Sequence, residues 1–269
     1  MILFPNCKIN LGLNIIRKRP DGFHDLETVF YPLPFFDVLE VLQSDRFEFH
    51  HSGVQIPGNE KNNLCVKAWL LLKKEFPDLP ELKIWLHKHI PIGSGLGGGS
   101  SDAAHVLNLA NELFEMDLSN EQLFTYALKL GSDCPFFLLN RPCLARGRGE
   151  ILDIIPLDLS AYSFMIVNSG IHVDTAWAFS QANPTLPTMP IDKIIVEPIA
   201  NWKSLLWNDF ERPVIQHYPG LGKIKDKLYG AGAIYASMTG SGSSIYGIFN
   251  KDTLPSISFE ENFNTILIP

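Results

Sequence analysis

The spacing of apolar positions predicts strands over most of the first 50 residues. In "KINLGLNII" (residues 8–16) apolar and polar residues alternate, as they do in a half-buried strand, and "DGFHDLETVFYPL" and "FDVLEVLQ" alternate more loosely. The stretch "LKIWLHKHI" alternates in the same way further along the chain. These four stretches therefore favour a sheet-rich first half.

Helical periodicity marks three further stretches before residue 132. The segment "NLCVKAWLLLKKEF" (residues 63–76) predicts an amphipathic helix, with Asn62 or Asn63 as its cap and Pro77 as its stop. After a run of glycines, the apolar residues between positions 103 and 114 recur on one helical face. A third helix is predicted to begin at Ser119, three residues before Gln122, and to end at Gly131.

The second half mixes short strands and helices without a regular alternation. Strands are predicted in "YSFMIVNSG", "GAIYASMTG" and "SSIYGIF", and helices around residues 175–181, 200–218 and 221–229. Motif density drops near residues 149–161, which predicts a division into residues 1–150 and 151–269. This order of elements indicates an α+β fold and not a βαβ repeat.

Composition and charge exclude several classes of protein. The chain is 46% hydrophobic and 19% charged, which is typical of a globular protein, and it has no apolar stretch long enough to span a bilayer. A formal net charge of −7 disfavours a nucleic-acid binder. The N-terminus lacks the pattern of a signal peptide, so a cytoplasmic protein is expected. The four cysteines have no metal-site spacing and are expected to be free thiols: Cys7, Cys65, Cys134 and Cys143.

Five glycines fall within the seven positions 93–99, between a predicted strand and a predicted helix. Glycines let the backbone approach a ligand, and the free N–H groups at a helix start attract anions. A nucleotide polyphosphate is the anion that this pattern favours, because a tight strand-to-helix connection alone needs only one or two glycines. Ser100 and Ser101 can cap the helix, donate to phosphate oxygens or help to hold a metal ion.

Two common phosphate motifs fit this loop poorly. A Walker A loop requires lysine after its last glycine, and no lysine occurs between His89 and Phe114. Gly93, Gly95 and Gly98 satisfy the dinucleotide pattern GxGxxG formally, but the next predicted element is a second helix and not a strand followed by an acid. The sequence therefore predicts a phosphate loop of another kind.

"PIGSGLGGGSSDAA" resembles the second motif of the GHMP kinases, a superfamily of small-molecule kinases. Three more stretches resemble motifs of one branch of it: "PNCKINLGLNIIRKRPDGFHDLETVF", "GSDCPFFL" and "MTGSGSSIYGIF". The step Gly22-Phe23-His24 is the part that separates this branch from its cousins. One departure is Cys7, where the branch usually has alanine before the lysine.

The resemblance implies a two-domain GHMP kinase fold, with an N-terminal ATP-binding domain and a C-terminal GHMP kinase domain. It implies transfer of a phosphoryl group from ATP, with Mg²⁺, to the 2-hydroxyl of a cytidyl diphosphate sugar alcohol in isoprenoid biosynthesis. The protein is expected to act in the cytoplasm as a monomer or homodimer, without nucleic-acid or membrane partners.

Two residues match the catalytic positions of the family. Asp133 is expected to accept the proton of the acceptor hydroxyl, and Lys8 to hold that carboxylate ionised and oriented. The local sequence alone slightly favours a turn residue for Asp133, and the motif match reverses that preference. For Lys8 an outward-facing strand lysine is the usual alternative.

The resemblance also assigns residues to the acceptor substrate. His24 is expected to read the edge of the cytosine and Phe179 to stack on it, with Trp177 as a competing stacker. The predicted substrate-binding set is Asn10, Phe23, His24, Asp133, Thr175 and Phe179.

For ATP, the resemblance assigns the adenine pocket and the loop. The predicted set is Asn63, Leu64, Lys88, Pro91, Gly93, Ser94, Gly95, Leu96, Gly97, Gly98, Gly99, Ser100 and Ser101. The metal ligands are not assigned. The role of Asp102 stays open, because a carboxylate beside phosphates is repulsive unless it points away or binds Mg²⁺. The stretch "TGSGSS" at 239–244 is either a set of backbone donors or a hairpin turn.

Three alternatives remain open at this point. Another GHMP kinase, acting on mevalonate, homoserine or a sugar, is disfavoured by the Gly22-Phe23-His24 step. A non-catalytic nucleotide-binding sensor is disfavoured by the presence of both Lys8 and Asp133. A nicotinamide-dependent oxidoreductase is the third.

Overall fold

A computed structural model describes residues 1–252, 257–261 and 263–269. Up to residue 141 the elements are β1 (Ile2–Leu3), β2 (Asn6–Lys18), β3 (His24–Phe36), β4 (Val38–Ser44), β5 (Glu48–Gly53), α1 (Leu64–Glu75), β6 (Glu81–Lys88), α2 (Gly98–Leu113), α3 (Asn120–Leu130) and α4 (Cys134–Leu139). The elements that follow are β7 (Cys143–Gly147), β8 (Ile151–Ile154), β9 (Tyr162–Asn168), α5 (Thr175–Gln181), α6 (Ile191–Ile194), α7 (Ile199–Leu205), α8 (Glu211–His217), α9 (Pro219–Gly230), β10 (Tyr235–Met238), β11 (Ile245–Asn250) and β12 (Asn264–Ile268).

The chain forms two compact units, each assembled from separate segments. Unit 1 comprises residues 1–8, 32–92 and 97–141, and unit 2 comprises residues 9–31, 93–96 and 142–269. The units are discontinuous because β2 and β3 pair in one sheet with β7 and β8, which lie after residue 142. The predicted functional division into residues 1–150 and 151–269 stays a prediction.

Unit 1 packs helices on one face of a four-stranded sheet of order β1-β4-β6-β5. Strand β6 is antiparallel to β4 and parallel to β5. Its alternation has the predicted consequence: Ile84 and Leu86 are buried in a core shared with α1 and α2, while Trp85 is exposed. Because β6 and α2 both pack in this core, it fixes the end of β6 and the start of α2, which are the two ends of the glycine loop.

Unit 2 contains a sheet of order β10-β11-β9-β12 and most of the sheet β2-β3-β7-β8, of which residues 6–8 and 32–36 are assigned to unit 1. In the first of these, β9 lies antiparallel between β11 and β12. The hydrophobic core of unit 2 includes residues of β2, β9, α8 and α9. The α+β fold predicted from the sequence is confirmed.

Several local predictions also hold. Asn63 caps α1 by accepting the N–H of Cys65 at 2.8 Å, and Ser119 and Gln122 form the predicted capping box. Gly131 ends α3 with an extended backbone (φ 171°), a conformation that does not require glycine. The four cysteines are free and buried, as expected.

The predicted helix over residues 200–218 is wrong in its middle. It is two helices, α7 and α8, separated by a segment that pairs with β2. Leu13 donates its N–H to Trp207 O and accepts from the N–H of Asp209, both at 2.8 Å. Tertiary hydrogen bonds to a strand therefore replace the helical ones that periodicity suggested. Within the described ranges, no helix is both long and apolar enough to cross a membrane.

Candidate active site

Lys8 and Asp133 meet within unit 1, as the sequence predicted. Lys8 lies in β2, where its side chain is 4% exposed, and Asp133 is the residue before α4, with its side chain 34% exposed. The Lys8 Nζ is 3.4 Å from Asp133 Oδ2. Asp133 makes no capping bond to α4, so its carboxylate is committed to the lysine and to solvent. An accessible carboxylate held by a buried ammonium can accept a proton from a bound hydroxyl.

The glycine loop has the backbone that an anion site needs. Gly93, Gly95 and Gly97 all have φ between +63° and +81°, the left-handed region that favours glycine. Gly97 is the N-cap of α2, and the N–H of Ser101 makes the first bond of the helix, to Gly97 O at 2.9 Å. The N–H groups of residues 98–100 therefore have no acceptor within the helix, and they lie at its positive end.

The start of α2 is packed tightly on one side and open on the other. A Cβ at Gly98 would lie 2.8 Å from Ile90 Cγ2 and 3.1 Å from Lys88 Nζ. A Cβ at Gly99 would meet only Leu64 Cδ1, at 3.7 Å. Gly99 is exposed and Leu64 lies beside it, which fits the adenine-pocket prediction for Leu64 and its neighbour Asn63.

Lys88 is buried between two carboxylates beneath this helix start. Its Nζ contacts Asp37 Oδ2 and lies 2.7 Å from Asp102 Oδ2, and all three side chains are at most 3% exposed. The carboxylates raise the pKa of Lys88 against the lowering effect of burial. Burial raises the pKa of Asp102 to about 7, and the Lys88 charge opposes that rise. The Asp102 carboxylate is thus engaged by Lys88, and direct contact of Lys88 with ATP stays a prediction.

Other predicted loop residues are largely internal. Pro91, Ser94 and Leu96 are buried, and Ser94 O accepts the N–H of Ser244 at 3.1 Å. The Ser101 hydroxyl is buried with no hydrogen-bond partner among the described residues, whereas Ser100 is partly exposed. Of the two serines, Ser100 is the one whose position leaves it able to reach a phosphate oxygen or a metal ion.

Asn10 belongs to a buried network in unit 2. Its Nδ2 donates to Thr28 Oγ1 at 3.0 Å, and its backbone N–H donates to Thr239 Oγ1 at 3.0 Å. Tyr246 donates to Asn10 O at 2.8 Å. These bonds give Asn10 a structural role, and its predicted contact with substrate stays a prediction.

His24 and Phe179 come together within unit 2, although 155 residues separate them in the chain. Their rings stack with centroids 4.9 Å apart and planes inclined by 13°. Burial, with a smaller effect of the Lys18 charge, lowers the pKa of His24. A neutral imidazole carries one donor and one acceptor, the combination needed to read the edge of a base.

Trp177, the competing stacker, packs elsewhere. Its ring lies 4.8 Å from that of His217 and 6.1 Å from that of Tyr218. Phe179 is therefore the aromatic that the structure associates with His24. The nearby Thr175 Oγ1 lies 3.0 Å from Ser241 Oγ, at the start of α5.

Phe23 lies beside His24 on the turn between β2 and β3. Its side chain is exposed, and the Arg148 guanidinium carbon lies 4.8 Å from the ring centroid. No sequence signal predicts this contact, because Arg148 is distant in the chain and belongs to no motif. Phe23 is still 53% exposed beside this cation, so the rest of its ring is open to a ligand.

The stretch at 239–244 connects β10 to β11 and is held by residues that sequence reasoning missed. Asn208 Nδ2 donates to Met238 O at 2.8 Å and to Gly240 O at 2.9 Å. Glu211 Oε1 accepts the N–H of Met238 at 2.6 Å. The hairpin-turn interpretation of this stretch therefore holds, and its close approach to the glycine loop is fixed by Thr239, whose O would lie 2.1 Å from a Cβ at Gly95.

The residues at the start of α2 fit a polyphosphate. The helix α2 begins with two glycines, so no side chain blocks the N–H groups of its first turn. Gly93 and Gly99 are exposed, and phosphate oxygens can therefore approach these N–H groups. Within the described part of the chain, no group of three or more His, Cys, Asp or Glu side chains is placed to hold a metal ion. Mg²⁺ keeps several waters and binds largely through substrate phosphates, so the partly exposed Ser100 hydroxyl is a protein oxygen that would help to hold it here.

Two domain families match the chain. "GHMP kinases N terminal domain" matches residues 63–141, and "GHMP kinases C terminal" matches residues 195–259. The first match covers α1, the glycine loop and Asp133, and the second covers α7 to α9 and the 239–244 stretch.

Individual relatives agree with these domains. Proteins named 4-diphosphocytidyl-2-C-methyl-D-erythritol kinase are 48% identical in Bacteroides fragilis, over 98% of this chain and 97% of the relative, and 50% identical in Bacteroides thetaiotaomicron, over 97% of each. A crystal structure of 4-(cytidine 5'-diphospho)-2C-methyl-D-erythritol kinase matches with a TM-score of 0.80 and 33% identity, covering 92% of this chain and 90% of that one. Identity at this level over nearly the whole length shows that the chain belongs to the 4-diphosphocytidyl-2-C-methyl-D-erythritol kinase family of GHMP kinases.

Proposed function

We propose that this protein transfers the γ-phosphoryl group of ATP to the 2-hydroxyl of 4-diphosphocytidyl-2-C-methyl-D-erythritol. The observation that carries the proposal is the buried Lys8 held 3.4 Å from the accessible carboxylate of Asp133, in a chain of this family. Its relatives carry the kinase name over nearly their whole length, which supports the same substrate for this chain.

Asp133 acts as the base in this proposal. As the acceptor oxygen forms its bond to the γ-phosphorus and the bond from that phosphorus to the β-phosphate bridging oxygen breaks, the hydroxyl proton passes to an Asp133 oxygen. Lys8 holds the carboxylate in position before the transfer and offsets negative charge on the transferring group. The buried position of Lys8 strengthens both effects, since water screens the ammonium less.

The glycine loop and the start of α2 hold the phosphates. The N–H groups of residues 98–100 donate to phosphate oxygens, and Leu64 lies beside Gly99, where the nucleoside would extend. Mg²⁺ bound with ATP would neutralise charge on the phosphates, with the Ser100 hydroxyl as a protein oxygen that would help to hold it.

Recognition of the cytosine is assigned to His24 and Phe179. The two rings are 4.9 Å apart, too close to admit a third ring between them, so the base stacks on Phe179 only when the His24 ring moves aside. The neutral imidazole then donates and accepts at the base edge. Phe23, with Arg148 over its ring, offers a second aromatic surface beside it.

A coupled assay of ADP release tests the proposal. Purified protein with Mg-ATP is given the cytidyl substrate, and mevalonate and homoserine serve as parallel acceptors. Turnover with the cytidyl substrate alone is the expected result. Turnover with another acceptor would keep the kinase chemistry but overturn the roles of His24 and Phe179. ATP binding without turnover on any acceptor would favour a nucleotide sensor.

A further inference from the structure

At the end of β6, the strand before the glycine loop, three consecutive residues donate hydrogen bonds to one buried carboxylate, that of Asp37. Its Oδ1 accepts the N–H of His89 at 2.6 Å and that of Ile90 at 2.9 Å, and its Oδ2 contacts Lys88 Nζ. Asp37 is fully buried and lies between β3 and β4. One side chain thus receives donors from three consecutive residues at the point where β6 ends.

The helix after the loop is tied to the same point. Lys88 Nζ donates to Asp102 Oδ2 at 2.7 Å, and Asp102 is the fifth residue of α2. The ion chain from Asp37 through Lys88 to Asp102 therefore connects the residues that enter the loop with the first turn of the helix that leaves it.

We propose that Asp37, Lys88 and Asp102 form a clamp that fixes the two ends of the glycine loop, and that Asp37 is a positioning residue for the ATP phosphates. This inference rests on the proposed function. The clamp acts through the backbone of residues 88–90 and the start of α2, without contact between Asp37 and ATP.

A contribution to the free energy of unfolding does not by itself explain why these three side chains are buried together. Removing charged groups from water is costly, and apolar residues of similar volume often stabilise a fold as well or better. The ammonium lies 3.1 Å from the position of a Cβ on Gly98, the first residue whose N–H faces the anion. A displacement of that N–H by about 1 Å can cost on the order of 100-fold in rate. The geometry thus connects the clamp to alignment of the phosphates.

The competing explanation is that Lys88 itself binds ATP. On that explanation, weakening Asp37 would release the lysine and leave ATP affinity equal or higher. With a clamp, weakening Asp37 loosens both ends of the loop and lowers ATP affinity. The two explanations predict opposite signs for the same variant.

The test is Asp37→Asn, which keeps the size and one acceptor oxygen of the side chain. The KM for ATP and the Kd for ATP, measured by calorimetry, are expected to rise about tenfold, equivalent to ~1.4 kcal/mol. The KM for the cytidyl substrate is expected to stay within about twofold, in contrast to a general loss of folded protein, which lowers kcat alone. Asp102→Asn is the second variant, with a smaller rise because the contact of Lys88 with Asp37 remains.

Asp209→Asn is the control, because Asp209 is a partly buried carboxylate whose Oδ2 likewise accepts a strand N–H, that of Ile15 at 2.7 Å. It is expected to leave the Kd for ATP unchanged. An unchanged or tighter Kd in folded Asp37→Asn would overturn the clamp. The Kd measurement does not need turnover, so absence of kinase activity in the natural protein would reject the proposed function and leave the clamp open to this test.

Discussion

Asp133 Oδ2 lies 3.4 Å from Lys8 Nζ, and the two residues are separated by 124 intervening positions in the chain. The lysine is buried and the carboxylate is accessible, an asymmetry that suits a base held by a fixed counter-charge. The pair unites β2 and the start of α4 within unit 1.

Asp133→Asn is expected to lower kcat by about 100- to 10,000-fold, the range typical of a lost general base. The Kd for ATP is expected to change little, because the carboxylate is not part of the phosphate cradle. Single-turnover measurement of phosphoryl transfer separates the chemical step from product release. Lys129→Met removes a surface lysine paired with Glu75 and serves as the control. A kcat within threefold of the natural protein would remove Asp133 from the base role.

Lys8→Met combined with Asp133→Asn is expected to cost little more than the larger single change. Residues that act as a unit are strongly non-additive, because each single change already disables the pair. The measurement is a double-mutant cycle on kcat. Multiplicative losses would indicate independent roles.

Gly98→Ala and Gly99→Ala form a matched pair within one helix turn. A Cβ at Gly98 meets Ile90 Cγ2 at 2.8 Å, so overpacking is expected to lower the free energy of unfolding by roughly 1–3 kcal/mol. A Cβ at Gly99 meets only Leu64 at 3.7 Å, and alanine there is expected to leave stability unchanged or higher. Urea unfolding of both variants measures the difference. Equal stability of the two variants would mean that the Ile90 side chain moves to accommodate the added methyl group at little cost in free energy.

Phe179→Leu is expected to raise the KM for the cytidyl substrate about tenfold, since stacking on a base contributes ~1–3 kcal/mol. Trp177→Leu is the matched change and is expected to stay within about twofold, because its ring packs on His217 and Tyr218. The KM for ATP is expected to be unaffected in both. The reverse order of effects would identify Trp177 as the stacking residue.

Asp102 is expected to make the free energy of unfolding fall as pH rises. Burial raises its folded pKa from 3.8 to about 7, so the folded state binds this proton more tightly than the unfolded state. The free energy of unfolding therefore falls as pH rises between these two values, by on the order of 1 kcal/mol per pH unit from this group.

Asp102→Asn is expected to remove that contribution. The comparison is urea unfolding of the natural protein and the variant between about pH 5 and 7.5. The charged groups facing Asp102 are Lys88 and Asp37. Burial, with a smaller effect of the Asp102 charge, raises the pKa of the nearby Cys65 thiol on α1. Identical slopes in the two proteins would mean that Asp102 stays ionised in the fold.

The elements of the site were largely predictable, whereas their partners were not. Asn63, Ser119 and the glycine loop follow from local signals, because caps and left-handed turns are decided within a few residues. Asp37 gave no such signal: it appears in the chain as one acid among apolar strand residues. The break between α7 and α8 was missed for the same reason, since its cause is pairing with Leu13 far away in the sequence.

The sequence by itself determined the α+β fold, the glycine loop between a strand and a helix, and the family, because alternation, glycine spacing and motif order are properties of short segments. Only the tertiary structure decided which side chains meet: Lys8 with Asp133, His24 with Phe179, and Lys88 with both Asp37 and Asp102. Burial then set their chemistry. Desolvation and neighbouring charge fix the protonation of His24 and Asp102, and both depend on atoms that lie far apart in the chain.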